Sequence, residues 1–93
     1  MRENVIEQKL VRAVKIKGGL ALKFVSPGTD GVSDRIVLFP GGVIAFVELK
    51  APGQKMRPLQ VKRKAQLESL GFRVYCIDSI HQIEEVLHEL CTT

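Results

Sequence analysis

The stretch DRIVLFPGGVIAFVELK, residues 34–50, decides how the chain is read. Two runs rich in Ile, Val, Leu and Phe flank Pro40-Gly41-Gly42, which is the pattern of two strands joined by a tight turn. Side chains alternate along a strand. Ile44, Phe46, Glu48 and Lys50 therefore share one face of the second run, and Val43, Ala45, Val47 and Leu49 share the other. Counting outward from Gly41 places position 48 opposite position 34. Asp34 and Glu48 are expected to meet at the open end of the hairpin, with Lys50 beyond the tip.

Outward from this hairpin, Val5, Ile6, Leu10, Ala13 and Val14 recur at helical spacing, which predicts a helix over 3–17 stopped by Gly18-Gly19. LALKFV (20–25) reads as a strand, and SPGTDG (26–31) as a turn or loop. After the polar segment APGQKMR (51–57), a helix is expected from about Arg57-Pro58 to Gly71, because proline suits a first turn and glycine a helix end. FRVYCI (72–77) is a last strand. Ser79 and Gln82 have the spacing of a capping box, and Ile80, Ile83, Leu87 and Leu90 form the apolar stripe of a closing helix. The order is α-β-β-β-α-β-α. A helical crossover before the last strand implies a mixed sheet with helices packed on it, an α/β fold.

The 93 residues suit one domain spanning 1–93, with a modest core. Apolar residues make up 45% and charged residues 26%, ordinary proportions that exclude a disordered chain. No apolar run approaches the ~20 residues of a membrane span. The charged start MRENVIEQKL does not resemble a signal peptide. Cys76 and Cys91 lack metal-type spacing. A reduced, cytoplasmic protein is expected, in a bacterial or phage-infected host cell, with no membrane and no small-molecule cofactor. The net charge is +4. From Lys50 to Lys64 six basic residues occur without an acid, while the C-terminal helix carries Glu84, Glu85 and Glu89. This one-sided distribution is either a nucleic-acid footprint or a solvated lysine-rich helix.

Two converging carboxylates are costly unless something neutralises them, and hard oxygen ligands suit Mg²⁺ or Mn²⁺. Asp34 and Glu48 are candidate metal ligands, with the Leu49 carbonyl between Glu48 and Lys50 as a further ligand. Lys50 is a candidate to orient a metal-activated water or to stabilise phosphate charge. The competing reading is a pair of surface salt bridges, Asp34 and Glu48 with Arg35 and Lys50.

In GVSDRIVLF, FVELKAPGQK and RPLQ, in this order and spacing, the chain resembles the PD-(D/E)xK nuclease superfamily, and in particular its VRR-NUC family. The resemblance spans nearly the whole chain. It implies a restriction-endonuclease-like α-βββ-α-β core with a mixed sheet flanked by helices, plus a C-terminal helix. By the same resemblance Asp34, Glu48 and Lys50 are catalytic and Gln60 lies near the site. Glu7 matches an acid on the first helix that often reaches the metal through water. Ser33 stands where proline is frequent, at a position that shapes backbone and is not a ligand. Residue by residue, Glu7 also fits a variant capping box with Asn4, and Gln60 an exposed first-turn position. His81 and His88 read as surface residues, Phe24 and Tyr75 as core, and Cys76 as a buried strand residue. Thr29-Asp30 reads as a turn or a substrate contact.

The resemblance thus implies a Mg²⁺- or Mn²⁺-dependent DNA endonuclease that cuts branched DNA such as a four-way junction and works as a homodimer. Lys23, Arg35, Lys55, Arg57, Lys62, Arg63 and Lys64 are candidates for phosphate contacts, which give affinity without reading sequence. The alternatives are a non-cleaving DNA-binding subunit of a repair or packaging complex, and a sequence-specific restriction-type endonuclease.

Overall fold

A computed structural model describes residues 2–29 and 31–92; Asp30, of the Thr29-Asp30 pair, lies outside the described residues. The element order is α1 (Glu3–Ile16), β1 (Leu20–Lys23), β2 (Arg35–Phe39), β3 (Val43–Leu49), α2 (Pro58–Ser69), β4 (Arg73–Ile77) and α3 (Ile80–Cys91). The strands form one mixed sheet in the spatial order β1-β2-β3-β4. β1 to β3 run antiparallel, and α2 carries the chain over so that β4 lies parallel to β3. The expected α/β architecture is therefore the observed one.

The hairpin register follows from its turn. Gly41 and Gly42 have φ of 88° and 77°, a pair of left-handed conformations that glycine adopts without a Cβ clash. Phe39 then pairs with Val43, and the ladder continues to Arg35 opposite Val47. The odd-numbered residues Val37, Phe39, Ala45, Val47 and Leu49, with Ile77 of β4, point to one side of the sheet. There they meet Ile6, Leu10 and Val14 of α1 and Ile83, Val86, Leu87 and Leu90 of α3. Burying each such side chain contributes roughly 1.5–3 kcal/mol, so this layer is the main core.

The close packing is visible at Gly19, which joins α1 to β1. A Cβ there would come within 2.5 Å of the Leu38 carbonyl oxygen and 2.7 Å of the Phe39 ring. Only glycine allows α1 to hand over to the sheet at this distance.

Helix starts are fixed by side chains. The Arg57 N–H donates to Gln60 Oε1 at 2.8 Å at the start of α2. The Asp78 and Ser79 N–H groups donate to Gln82 Oε1 at 2.7 and 3.2 Å at the start of α3. Both bonds satisfy donors that precede the helical ladder.

Several limits differ from the sequence expectation. β1 ends at Lys23 and not Val25, because Phe24 N–H bonds to the Asp34 carbonyl at 3.0 Å and the pairing then stops, leaving Val25 exposed. α1 stops at Ile16, α2 at Ser69 and not at Gly71, and β4 begins one residue later than expected. Val5 is exposed, so the α1 stripe is Ile6-Leu10-Val14. Among the described residues no helix is long and apolar enough to cross a membrane.

Candidate active site

The even-numbered face of the sheet has a different character. Extending the hairpin register by one residue beyond Arg35–Val47 sets Asp34 opposite Glu48, and β4 sets Cys76 beside Glu48. Phe24 completes this row through its N–H bond to the Asp34 carbonyl. Toward the hairpin turn the next row is apolar, with Phe46 packed against Phe24 and Phe72 at ring-centroid distances of 5.7 and 5.6 Å. The site is thus a polar row ending an otherwise apolar sheet face.

Asp34 is held rigidly. Its Oδ2 accepts the Leu49 N–H at 2.8 Å, a bond across to β3 just past the paired strand. Glu48 is only 2% exposed. The surface salt-bridge reading of Glu48 therefore fails: the residue is buried, with β4 paired alongside it. Its carboxyl lies in hydrogen-bond contact with that of Asp34. Burial first, then this contact and the Asp34 charge, push the Glu48 carboxyl up to about 8 from an ordinary 4.5; Lys50 pulls it down and Glu3 adds to the rise. Glu48 is therefore held protonated near neutral pH. Glu48 Oε2 is, among the described residues, the buried side-chain polar atom left without a hydrogen-bond partner. An unpaired buried oxygen costs about 1–3 kcal/mol and is an acceptor waiting for a positive group.

The other expected residues divide. Lys50 is half-buried, fixed through its backbone N–H to the Ile77 carbonyl at 2.9 Å, and its charge is felt at Glu48 and at Cys76. Cys76 is half-buried and not fully buried; burial and then the charge of Glu48 push its thiol up. Gln60 is buried (5% exposed), not an exposed first-turn residue, and its Oε1 is engaged by the Arg57 N–H. Ser33 is buried as well.

Glu7 is not brought to Asp34 and Glu48. Its Oε2 accepts from Arg35 Nε at 2.8 Å on the α1 side of the sheet, and Arg35 also donates to the Ala21 carbonyl at 3.0 Å. Arg35 is therefore neither the salt-bridge partner of Asp34 nor an outward phosphate contact; odd-numbered positions of β2 face α1. The acid of α1 whose charge reaches Glu48 is Glu3. A signal for it existed: Glu3 lies three residues before Ile6 and seven before Leu10, on the stripe that faces the sheet.

Among the described residues no group of three or more His, Cys, Asp and Glu is gathered around one point. Two carboxylates and a backbone carbonyl suit a hard cation that keeps several waters. The close carboxyl pair and the orphaned Oε2 fit such an ion.

The basic residues fall into two groups. Lys55, Arg57 and Lys62 are exposed on the segment leading into α2 and on its outer side. Arg63 donates to Gln66 Oε1, and Lys64 forms an ion pair with Glu68 at 2.8 Å. Lys23 lies elsewhere, in a groove of about 500 Å³ with Arg12, Lys15 and the Glu7–Arg35 pair.

A four-stranded mixed sheet with an Asp-Glu-Lys set at the end of its central hairpin defines a nuclease-type α/β protein. The comparisons with known proteins agree. No protein-family model matches the chain. Over 79 residues it is 52% identical to "Putative nuclease p44" of Acyrthosiphon pisum secondary endosymbiont phage 1, covering 85% of each chain. A solved structure described as a VRR_NUC domain superposes with a TM-score of 0.87 at 28% identity, over 92% of this chain and 94% of that one. The chain belongs to the VRR-NUC family of nucleases, enzymes that hydrolyse nucleic acid.

Proposed function

We propose that the protein is a Mg²⁺- or Mn²⁺-dependent endonuclease that cuts branched DNA of the four-way-junction type. The observation that carries the metal dependence is the unpartnered Glu48 Oε2 beside the Asp34 carboxyl. Asp34, Glu48 and the Leu49 carbonyl would hold the cation. When bound, it would supply positive charge to a phosphate oxygen and lower the pKa of a water.

The chain's own residues do the rest. The Leu49 N–H fixes the Asp34 carboxylate so that little reorganisation accompanies binding. Glu48 would act as a ligand in its ionised form, and because burial holds its proton, that form becomes more available as pH rises toward 8. Lys50 follows Glu48 by two residues and places an ammonium near the scissile phosphate, where it stabilises developing charge and orients the attacking water. Gln60 holds the start of α2, which carries Arg57 and Lys62 toward the phosphates. Contacts of this kind bind backbone and follow shape, which supports recognition of branched DNA over a short sequence. Two such chains acting together would make the paired cuts that a symmetric junction requires. The phage origin of the 52%-identical relative supports a setting in the cytoplasm of a bacterial or phage-infected cell.

The test is incubation with a labelled four-way junction and with linear duplex, in Mg²⁺, Mn²⁺ or EDTA. Metal-dependent junction cleavage that vanishes in Glu48→Ala while binding persists is the expected result. Binding with no cleavage in either metal would show a non-cleaving DNA-binding subunit. Cutting of linear duplex at one short sequence would show a restriction-type enzyme.

A further inference from the structure

The positive charge of the chain is not confined to α2 and the segment before it. A groove of about 500 Å³ runs between α1 and the edge strand β1. Asn4, Gln8, Arg12 and Lys15 follow one another along α1 at spacings of three or four residues, so they form one stripe of the helix. All four are exposed. They lie beside the apolar stripe of Ile6, Leu10 and Val14 that seats α1 on the sheet. Lys23 and Arg35, a cross-strand pair of β1 and β2, complete the groove. Its acid is Glu7, which Arg35 already engages. Arg12, Lys15 and Lys23 form no ion pair among the described residues. Three uncompensated cations therefore gather in one groove, which concentrates a positive potential there.

We propose that this groove binds the phosphate backbone of a second arm of a branched nucleic acid, while the arm to be cut lies against the Asp34–Glu48 row. The proposal rests on the branched-DNA reading and deepens it, by naming the surface that tells a branch from a straight duplex.

The stripe has the chemistry that phosphates need. Cationic and amide side chains are the usual contacts to backbone oxygens, and they carry no sequence information. No aromatic residue lines the groove, so it offers no platform for stacking a base. From Asn4 to Lys15 the helix rises about 16 Å, which matches roughly five steps along a duplex. The location follows from the register. Lys23 pairs with Arg35, and the next row holds Phe24 and Asp34. Adjacent rows point to opposite faces of a sheet. Groove and site thus open at the same end of the sheet but on its two sides, with the β1 edge between them. A duplex is stiff over about 150 bp, far longer than a protein measuring 32 × 32 × 21 Å. A straight duplex on the site face therefore does not turn round the edge into the groove, whereas two arms diverging from a branch reach both without bending. The cations Arg57 and Lys62 lie outside the groove and serve either kind of substrate.

The test is the affinity of the full chain for a labelled four-way junction and for a linear duplex, read by fluorescence anisotropy in EDTA between about 50 and 200 mM salt. Wild type is expected to bind the junction more tightly. Arg12→Ala combined with Lys15→Ala should lower junction affinity roughly 10-fold or more and reduce the slope of log affinity against log salt by about 2. Affinity for the linear duplex should stay as it was. Lys23→Ala should act in the same direction, with a slope change of about 1. Arg12→Lys combined with Lys15→Arg keeps both charges and should bind as wild type does. These positions are exposed, so far-UV circular dichroism should not change. Equal losses on junction and duplex, or no loss on the junction, overturn the proposal. A wild type that binds the two substrates equally refutes the branched-DNA reading and this proposal together. A junction preference that survives in both alanine variants refutes the groove alone. A preference that depends on the groove, without cleavage in Mg²⁺ or Mn²⁺, supports the groove and refutes the nuclease mechanism.

Discussion

The two faces of one sheet show how the same four strands serve different ends. On the odd-numbered side, Val37, Ala45, Val47 and Leu49 meet the apolar stripes of α1 and α3, with the Glu7–Arg35 ion pair beside Val47. On the even-numbered side the rows begin apolar and end with Asp34, Glu48 and Cys76, where the cost of burying the Glu48 carboxyl has been accepted. One face stabilises the fold; the other uses that rigidity to hold two acids closer than they would stay in water. The general lesson is that a strongly packed layer can support a buried polar site on its reverse side, one residue away in sequence.

Substitutions on each face separate these roles, and the largest expected effect is on chemistry. Glu48→Gln should lower cleavage by at least ~100-fold, measured on the labelled junction, while leaving the protein folded. Because the amide removes the burden of a buried acid, the same variant should melt at a higher temperature than wild type at pH 8 without metal. A melting temperature that falls would refute the assignment of Glu48 as the destabilising group.

The core side comes next. Leu10→Ala empties part of the closed layer and should cost ~2–5 kcal/mol by urea unfolding. Leu22→Ala, half open on the other face, should change the stability of the isolated chain by less than ~1 kcal/mol. Equal costs at the two positions would abolish the contrast between the faces.

The pH dependence is of similar size. The Glu48 carboxyl is raised in the folded protein to about 8 from 4.5. A raised acid favours the folded state fully below its unfolded value and loses that contribution as pH climbs through the folded value. The metal-free protein should therefore lose on the order of 2–4 kcal/mol between about pH 4.5 and 8 from this group, and Glu48→Gln should flatten the profile. Millimolar Mg²⁺ should restore stability at the alkaline end, read as a rise in melting temperature.

Smaller still, the two acids of α1 should separate. Glu7→Gln breaks the ion pair with Arg35 and should cost about 1 kcal/mol without moving the Glu48 titration. Glu3→Gln should lower the Glu48 pKa, followed by carboxyl-carbon NMR, because the Glu3 charge is one of the forces holding it up. The smallest effect is expected at Lys62, where Lys62→Ala should reduce the slope of log affinity against log salt by about 1 and leave cleavage of bound DNA unchanged.

How far the residues themselves announced this arrangement differs from one element to the next. The hairpin was fully legible, since Gly41-Gly42 and the alternation on either side dictate a register that sets 34 against 48. The capping glutamine Gln82 was legible for the same local reason. Gln60 was not legible as a buried cap on α2, because Arg57 is an unusual residue to precede a helix. Glu7 was misplaced. Its spacing fits an acid on α1, but α1 can turn either Glu3 or Glu7 toward the site row, and only the seating of Ile6, Leu10 and Val14 on the sheet selects Glu3. Arg35 was assigned to phosphate because it is basic and next to Asp34; alternation sends it to the opposite face, where Glu7 receives it.

What the sequence determined by itself was local: the alternation that makes a hairpin, the glycines that permit its turn, the apolar stripes that make α1 and α3 amphipathic, and the Asp-Glu-Lys set at the strand ends. These depend on φ preferences and on periodicity, which act between residues close in the chain. Burial and pairing belonged to the tertiary structure alone. It placed Glu48 out of water against Asp34, left Oε2 without a partner, gave Glu7 to Arg35, and set Lys23 of β1 in one groove with Arg12 and Lys15 of α1. Each of these depends on which elements come to lie over a given strand, and desolvation and charge act through that space and not along the chain.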